Sequence, residues 1–423
     1  MKTANRRLKI AFIHPDLGIG GAERLVVDAA VYLQRAGHRV TIFTSYHDPG
    51  HSFEATRDGT LDIRCYPFAL PIHIAQRLRA VCALARTAYL AARLALSARY
   101  DVVFCDLIPH VIPLIRFLTG ARVVYYCHYP DNYLAPPSKI KFFFRLYRRP
   151  IERLEQAGIR TADRILVNSR FTAARLRRAY PGLKSAAMEV VYPGVAREIY
   201  SDRPLPDAGG VTLVSINRLV RFKNIGLAVE ALARVRAALP AEVFRHVRLV
   251  LVGGYDARLG ESRAVLAELK ATVERLDLAD QVVFSLSCSE AERLELLSAC
   301  RCFVYTPDEE HFGYGPVEAM AAGRPVIAVK SGGPLETVLD GETGLLCEPT
   351  VAAFAAAMVK LILDPAEADR LGRAGRRRAR EQFSLASFGR RLEAILLDVA
   401  ESGAAPFAPR SRPRPAIAER RMP

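Results

Sequence analysis

The segment LKIAFIHPDLGIGGAERLVVDAAVYLQRAGHRVTIFT, residues 8 to 44, decides the architecture. Residues 8–14 form a short apolar run that ends at a turn, the pattern of a buried strand. Pro15 to Gly21 breaks the run with three glycines, Gly18, Gly20 and Gly21. Residues 22–36 then carry Leu25, Val26, Ala29, Ala30 and Leu33 on one helical face, and Gly37 closes that helix. Residues 39–44 are again a strand. Strand, helix and strand in this order open a parallel sheet, because parallel strands need a crossover between them.

The alternation continues along the chain. Strand patterns occur at 102–105, 123–127 and 164–168, and the proline- and glycine-rich stretch 192–210 reads as a linker. A second series follows, with strands at 211–216, 247–252, 282–284, 302–305 and 325–328. Helical patterns at 226–238, 263–276, 290–300 and after Gly315 separate them. Two series of similar size predict an α/β protein with two Rossmann-like, doubly wound domains facing an interdomain cleft. The expected divisions are a first domain over 1–200, a second over 201–380, a C-terminal helix over 381–401 and a disordered basic tail over 402–423.

The chain carries 60 Lys and Arg against 44 Asp and Glu, a net charge of +16 that favours an anionic partner. The cations concentrate at 77–99, 139–153, 170–178 and 370–380. No zinc-finger spacing, RNP1-like run or basic zipper accompanies them, which argues against nucleic acid. The eight cysteines form no C-x-x-C pair and mostly lie in apolar runs, so a reducing compartment is expected, with neither a structural zinc nor a disulfide framework. Residues 1–13 do not read as a signal peptide. No apolar stretch reaches the roughly 18 to 20 residues that span a bilayer. Residues 139–149 interleave aromatics with cations, which reads either as an interfacial helix on anionic lipid or as a core-packed helix with solvated arginines.

Four segments carry chemistry. The turn Gly18-Ile19-Gly20-Gly21 lies between a strand and a helix, where glycines permit close backbone approach and a helix start presents free N–H groups. Glu23 stands where a dinucleotide fingerprint needs its third glycine, which disfavours NAD and leaves either a ligand loop or a plain tight turn. Arg218 and Lys223 follow the first strand of the second domain, at the end of the sheet where ligands bind. They suit a diphosphate, or are solvated loop charges. Glu310 sits in an acidic loop with Phe312 and Gly313, and Glu318 falls in the first turn of a helix begun by Pro316, where a capping charge is the simpler role. The turn Ser331-Gly332-Gly333-Pro334 repeats the glycine-then-proline design, and two such helix starts beside one cleft suit an anion. His128 ends a strand of the first domain, facing either the cleft or the core.

These residues carry a resemblance. The spacing of Glu310 and Glu318, Glu-x7-Glu, resembles that of retaining GT-B glycosyltransferases of the family-4 type, and the likeness runs from about Leu8 to about Leu397. The runs 14–18 and 20–25, Cys127-His128 with Pro130-Asp131, 167–169 with 171–173, 310–313 and 331–336 are similar to the dolichol-pathway α-1,3/α-1,6-mannosyltransferases that extend lipid-linked Man1GlcNAc2. Tyr314 and the run 321–323 depart from that pattern, as does the lack of a hydrophobic C-terminal anchor. The alanine- and arginine-rich composition suits a GC-rich source, where the carrier need not be dolichol.

The resemblance implies a mannosyltransferase with GDP-mannose as donor and retention at the anomeric carbon. Arg218 and Lys223 would bind the diphosphate, Glu318 the ribose, and Glu310 with Phe312 and Gly313 the hexose. His128 would lie at the reacting face, and Gly20 and Gly21 would close over the phosphates. The implied acceptor is a glycan on a polyprenyl or dolichyl diphosphate, and the implied place is the cytoplasmic face of an anionic membrane, bound peripherally. No Asp-x-Asp occurs, so no metal cofactor is expected. The other readings are a GT-B transferase using a UDP-glucose type of donor on a polysaccharide or lipid, a hydrolase or isomerase of nucleotide sugars, and a non-catalytic nucleotide-binding protein.

Overall fold

The computed structural model describes residues 6–68, 79–130, 141–196, 210–255 and 258–402. Parallel strands form the first sheet: β1 (Lys9–His14), β2 (Arg39–Thr44), β3 (Asp62–Cys65), β4 (Val102–Asp106), β5 (Arg122–Cys127), β6 (Arg164–Val167) and β7 (Glu189–Val190), ordered β3-β2-β1-β4-β5-β6-β7. The second sheet is also parallel: β8 (Val211–Arg218), β9 (Val247–Gly254), β10 (Val282–Leu286), β11 (Cys302–Tyr305), β12 (Val326–Val329) and β13 (Gly344–Cys347), ordered β10-β9-β8-β11-β12-β13. Every residue of β4 and five of the six in β1 are buried, because helices cover both faces of each sheet. Three strands escaped the sequence reading. β3 and β7 are short and only partly buried edge elements, and β13 begins with a glycine.

In both sheets the strand order reverses once, between β1 and β4 and between β8 and β11. Helices leave opposite faces at such a point, and a crevice opens at the carboxyl ends of the two strands. His14 and Asp106 end β1 and β4 at the first reversal. Arg218 and Tyr305 end β8 and β11 at the second.

The end of the chain ties the sheets together. The expected helix over 381–401 is two helices, Pro365–Gln382 and Leu385–Glu401, divided where Ser384 caps the second by accepting from Ser387 N–H at 3.2 Å. Val195 pins the division, donating to Phe383 O at 2.8 Å and accepting from Leu385 N–H at 3.0 Å. The last helix then lies on the first domain. Its Phe388, Leu392, Leu396 and Val399 share a core with Leu25, Val26, Ala29 and Leu33 of the Gly21–Arg35 helix. A Cβ on Gly389 would meet the Tyr32 ring at 2.2 Å, so this crossing admits no side chain.

A polar link crosses near the cleft. Glu336 of the second domain accepts from the N–H groups of Arg170 and Phe171, both at 2.8 Å, at the start of the Arg170–Ala179 helix. A carboxylate there satisfies two free donors and meets the positive end of the helix dipole. Ser169 caps the same helix by accepting from Thr172 N–H at 2.9 Å, and its hydroxyl donates to His311 O at 2.6 Å across the cleft. The domain boundary expected at 200, Asp131 and most of the basic tail lie outside the described residues, as do the side chains of 139–148.

Gly389→Val will overpack the crossing and cost about 1–3 kcal/mol. Urea unfolding of the full chain, followed by far-UV circular dichroism, will show the earlier midpoint.

Candidate active site

Lys223 and Glu310 meet at the mouth of the second crevice. Lys223 lies in the single turn Arg221–Lys223, which ends at Asn224 in the left-handed conformation (φ 46°) that asparagine tolerates. Thr306, just past β11, donates its hydroxyl to Lys223 O at 2.8 Å and ties this turn to the strand end. The Lys223 ammonium then pairs with Glu310 Oε2. Tyr305 O–H donates to the same oxygen at 2.9 Å, while Glu310 Oε1 accepts from His311 N–H at 3.2 Å. Burial disfavours the charge on Glu310, but the Lys223 ammonium overcomes it and holds the carboxyl below its ordinary range.

The loop that carries Glu310 is itself constrained. Glu309 takes a left-handed backbone (φ 51°), with its N–H held by Asp308 Oδ1 at 2.8 Å and Ser331 Oγ at 3.0 Å. Such a conformation costs a non-glycine residue about 1–2 kcal/mol and persists where the surroundings over-determine it. A Cβ on Gly332 would meet Glu310 O at 2.4 Å, and one on Gly333 would meet Phe312 Cα at 2.4 Å. Gly333 N–H donates to Glu310 O at 2.7 Å. The glycines of 331–334 therefore brace the Glu310 loop backbone to backbone. At the turn where an anion was expected, Gly333 N–H is thus already taken by Glu310 O.

Glu318 is placed differently from the expectation. The helix runs Tyr314–Ala321 with Gly313 (φ 87°) before it, so Pro316 is its third residue and Glu318 its fifth, beyond the first turn. Proline is harmless there, since the first N–H groups of a helix have no partner within it. Glu318 is no cap. Its carboxylate accepts from Arg293 at 2.5 Å, and burial, only partly offset by Arg293, raises its pKa. Arg293 is held in turn by Glu290 at 2.6 Å. Phe312, expected to contact the donor, is 2% exposed and packs its ring against Tyr192, Tyr314 and Phe383 behind the loop. Arg218 is exposed, and among the described residues its side chain has no hydrogen-bond or ion-pair partner.

The first domain contributes imidazoles and carboxylates. His14 Nδ1 lies 2.8 Å from Asp106 Oδ2, and His128 Nε2 lies 2.9 Å from Asp106 Oδ1 with its N–H axis turned aside. Burial pulls the His14 pKa down, but Asp106 and Glu23 outweigh it and lift it to about 9. Burial likewise opposes the charge on Asp106, yet His128 and His14 hold it at about 2. Glu23 reaches back over the glycine turn, where a Cβ on Gly20 would meet its carboxylate at 2.3 Å. Gly21 O accepts from Tyr314 O–H of the second domain at 3.4 Å. Gly20 and Gly21 thus lie at the cleft, with a carboxylate already at the helix start. His311 stacks on Tyr129 across the cleft, ring centres 3.6 Å apart. Burial pushes His311 down to about 4, with Glu310 opposing.

Two facing crevices, one with cations and a fixed carboxylate and the other with imidazoles, suit a divided substrate pair. The family 'Glycosyltransferase Family 4' matches residues 19–198, and 'Glycosyl transferases group 1' matches 197–378. An α-1,3/1,6-mannosyltransferase of Rhizomucor pusillus is 40% identical, covering 94% of this chain and 93% of its own length. The Homo sapiens enzyme of that name is 41% identical, covering 90% and 94%. The chain belongs to the α-1,3/1,6-mannosyltransferase family. This mannosyltransferase family member is an enzyme of the GT-B fold. Its fold is similar to that of sucrose-phosphate synthase from Thermosynechococcus elongatus, with a TM-score of 0.76 at 24% identity over 93% of this chain and 99% of the other.

Tyr305, Arg293, His14, Asp106 and His311 escaped the sequence reading. The strand-end rule that selected His128 applies equally to His14, Asp106 and Tyr305. No such rule reaches Arg293, which sits mid-helix.

Stability of this mannosyltransferase is expected to peak near neutral pH. His14 gains its pKa on folding, from 6.5 to about 9, so its contribution is complete below 6.5 and is lost as pH rises through 9. His110 and His311 fall to about 4, so theirs is lost as pH drops from 6.5 toward 4. Urea midpoints measured from pH 4 to pH 10 will show the dome, and His14→Gln will flatten its alkaline side.

Proposed function

We propose that this enzyme transfers mannose from GDP-mannose, with retention, to a glycan carried on a polyprenyl or dolichyl diphosphate. The observation that carries the donor half is the Lys223–Glu310 pair, with the exposed Arg218 side chain, unpartnered among the described residues, at the end of the neighbouring strand. Arg218 and Lys223 neutralise the departing diphosphate, and fixed cations stabilise it most as its charge develops. Glu310, ionised and held at both oxygens, steadies the positive charge that grows on the hexose. A leaving phosphate oxygen can take the acceptor proton on the face it departs from, so retention needs no separate base. Glu318 orients the ribose hydroxyls, and His128 faces the reacting sugar.

Metal independence belongs to the same proposal, since two side-chain cations do the work of a bridging metal. The test uses radiolabelled GDP-mannose and UDP-glucose with lipid-linked chitobiose acceptors bearing one mannose, with and without EDTA. Wild-type protein will transfer label from GDP-mannose alone and will tolerate EDTA. Lys223→Ala and Glu310→Gln will each lower kcat by roughly 10²–10³-fold. Transfer from UDP-glucose, or loss of turnover in EDTA, would sink the donor or the metal-free reading respectively.

The acceptor's lipid implies a membrane surface. Among the described residues no helix is long and apolar enough to cross one. We propose peripheral attachment on the cytoplasmic face, through the cations and aromatics of residues 139–149. Flotation will recover the protein with vesicles containing phosphatidylserine but not with neutral ones. Recovery with neither would refute the attachment.

A further inference from the structure

A buried charged cluster lies under the first crevice, and the transfer step described above gives its central member no role. Asp106 ends β4 at the point where the strand order of the first sheet reverses. Its neighbour across the sheet follows from register: Ile13 pairs with Cys105, so His14 stands beside Asp106 although 92 residues separate them. The chain turns sharply just after the carboxylate. Leu107 has φ 61°, a conformation that a bulky L residue rarely adopts, and Ile108 N–H donates to Asp106 O at 2.8 Å. Strain of this kind, held at a strand end beside a cleft, marks a side chain whose direction matters.

The burial is graded from Asp106 toward the cleft. Asp106 is 0% exposed and His14 1%, while the side chains of His128 and Glu23 are 14% and 23% exposed. One Asp106 oxygen meets His14, whose Nε2 lies 3.9 Å from Glu23, and the other oxygen meets His128. The His128 main chain is fixed as well, since its carbonyl accepts from Asn168 Nδ2 at 2.9 Å. A buried carboxylate without cationic partners would take up a proton. Here the His14 imidazolium supplies the charge, and Glu23 balances it on the far side.

We propose that Asp106 is a positioning residue for the transfer reaction, fixing His128 directly and Glu23 through His14, and so orienting the two groups that the first domain presents to the cleft. When a bound substrate turns Nε2–H onto Asp106, 2.9 Å away, His128 keeps Nδ1 as its acceptor nitrogen for a sugar hydroxyl. Which ring nitrogen carries the proton is set by the partner of the other one. An asparagine in place of Asp106 offers an N–H to Nε2 and favours the opposite tautomer, which reverses the donor and acceptor roles of His128. Contacts of this aligning kind are often poorly directed until a substrate completes them, which agrees with the turned N–H axis.

The inference rests on the sugar-transfer reading of this cleft, and the test separates the two. Nitrogen-15 correlation spectra of the imidazoles, with His128→Gln to assign the signal, report the tautomer without any turnover. The wild type will carry its proton on Nε2 of His128, and Asp106→Asn will move it to Nδ1. Under the assay above, Asp106→Asn will lower kcat by roughly 10- to 100-fold while the KM for donor and acceptor change little. His14→Gln will give a smaller loss. The Asp106→Asn/Glu23→Gln double variant will lose less than the product of the two single losses, because part of the Asp106 effect is exerted on Glu23 by way of His14. An unchanged His128 tautomer, an unchanged kcat, independent losses at Asp106 and Glu23, or a loss that only tracks the fraction unfolded would each overturn the proposal. A wild type inactive toward GDP-mannose but with the expected tautomer change would fault the donor reading and leave Asp106 as the residue that orients His128.

Discussion

Everything at the cleft depends on the return of the last helix to the first domain. Helix 385–401 buries Phe388, Leu392, Leu396 and Val399 in a core begun by residues 8–33, at a crossing too tight for any side chain on Gly389. Burying a side chain of this size contributes about 1.5–3 kcal/mol, so the contact outweighs any single polar link between the domains. The polar links then set the detail. Glu336 and Ser169 spend the start of one first-domain helix on second-domain partners, which brings His311 under Tyr129 and the Glu310 loop opposite His128.

The two crevices are built by one rule and furnished differently. Each lies where the strand order reverses, so each collects side chains from strands distant in sequence. The second crevice holds an exposed cation, a paired cation and a carboxylate fixed at both oxygens. The first holds one deeply buried carboxylate between two imidazoles. The cations of the second crevice thus face a first crevice whose charges are balanced among Asp106, His14 and Glu23.

Much of this fold was legible in the sequence because parallel strands covered on both faces are continuous apolar runs. Residues 8–44 showed it at once. Edge strands carried no such run, and β3, β7 and β13 went unread for that reason. Position at the candidate cleft was legible for residues beside a strand end, as with Arg218, Lys223 and His128. It was not legible where meaning arises only from the fold. Pro316 looked like a helix start, yet the helix begins at Tyr314, two residues sooner, which moves Glu318 past the first turn. Nothing along the chain showed that the Phe312 ring is buried behind its loop. Asp106 sat in a plain apolar strand, and its two histidine partners are 92 and 22 residues away.

The return of the terminal helix has a consequence for how the molecule is made. A ribosome releases the first sheet long before residue 399, yet that sheet's core stays open on the flank that the final helix covers. Until residues 388–399 are made, the surface around Leu25, Val26 and Leu33 lacks the helix that completes its core. The first half to be made is therefore sealed late, with part of an apolar flank open until that helix emerges.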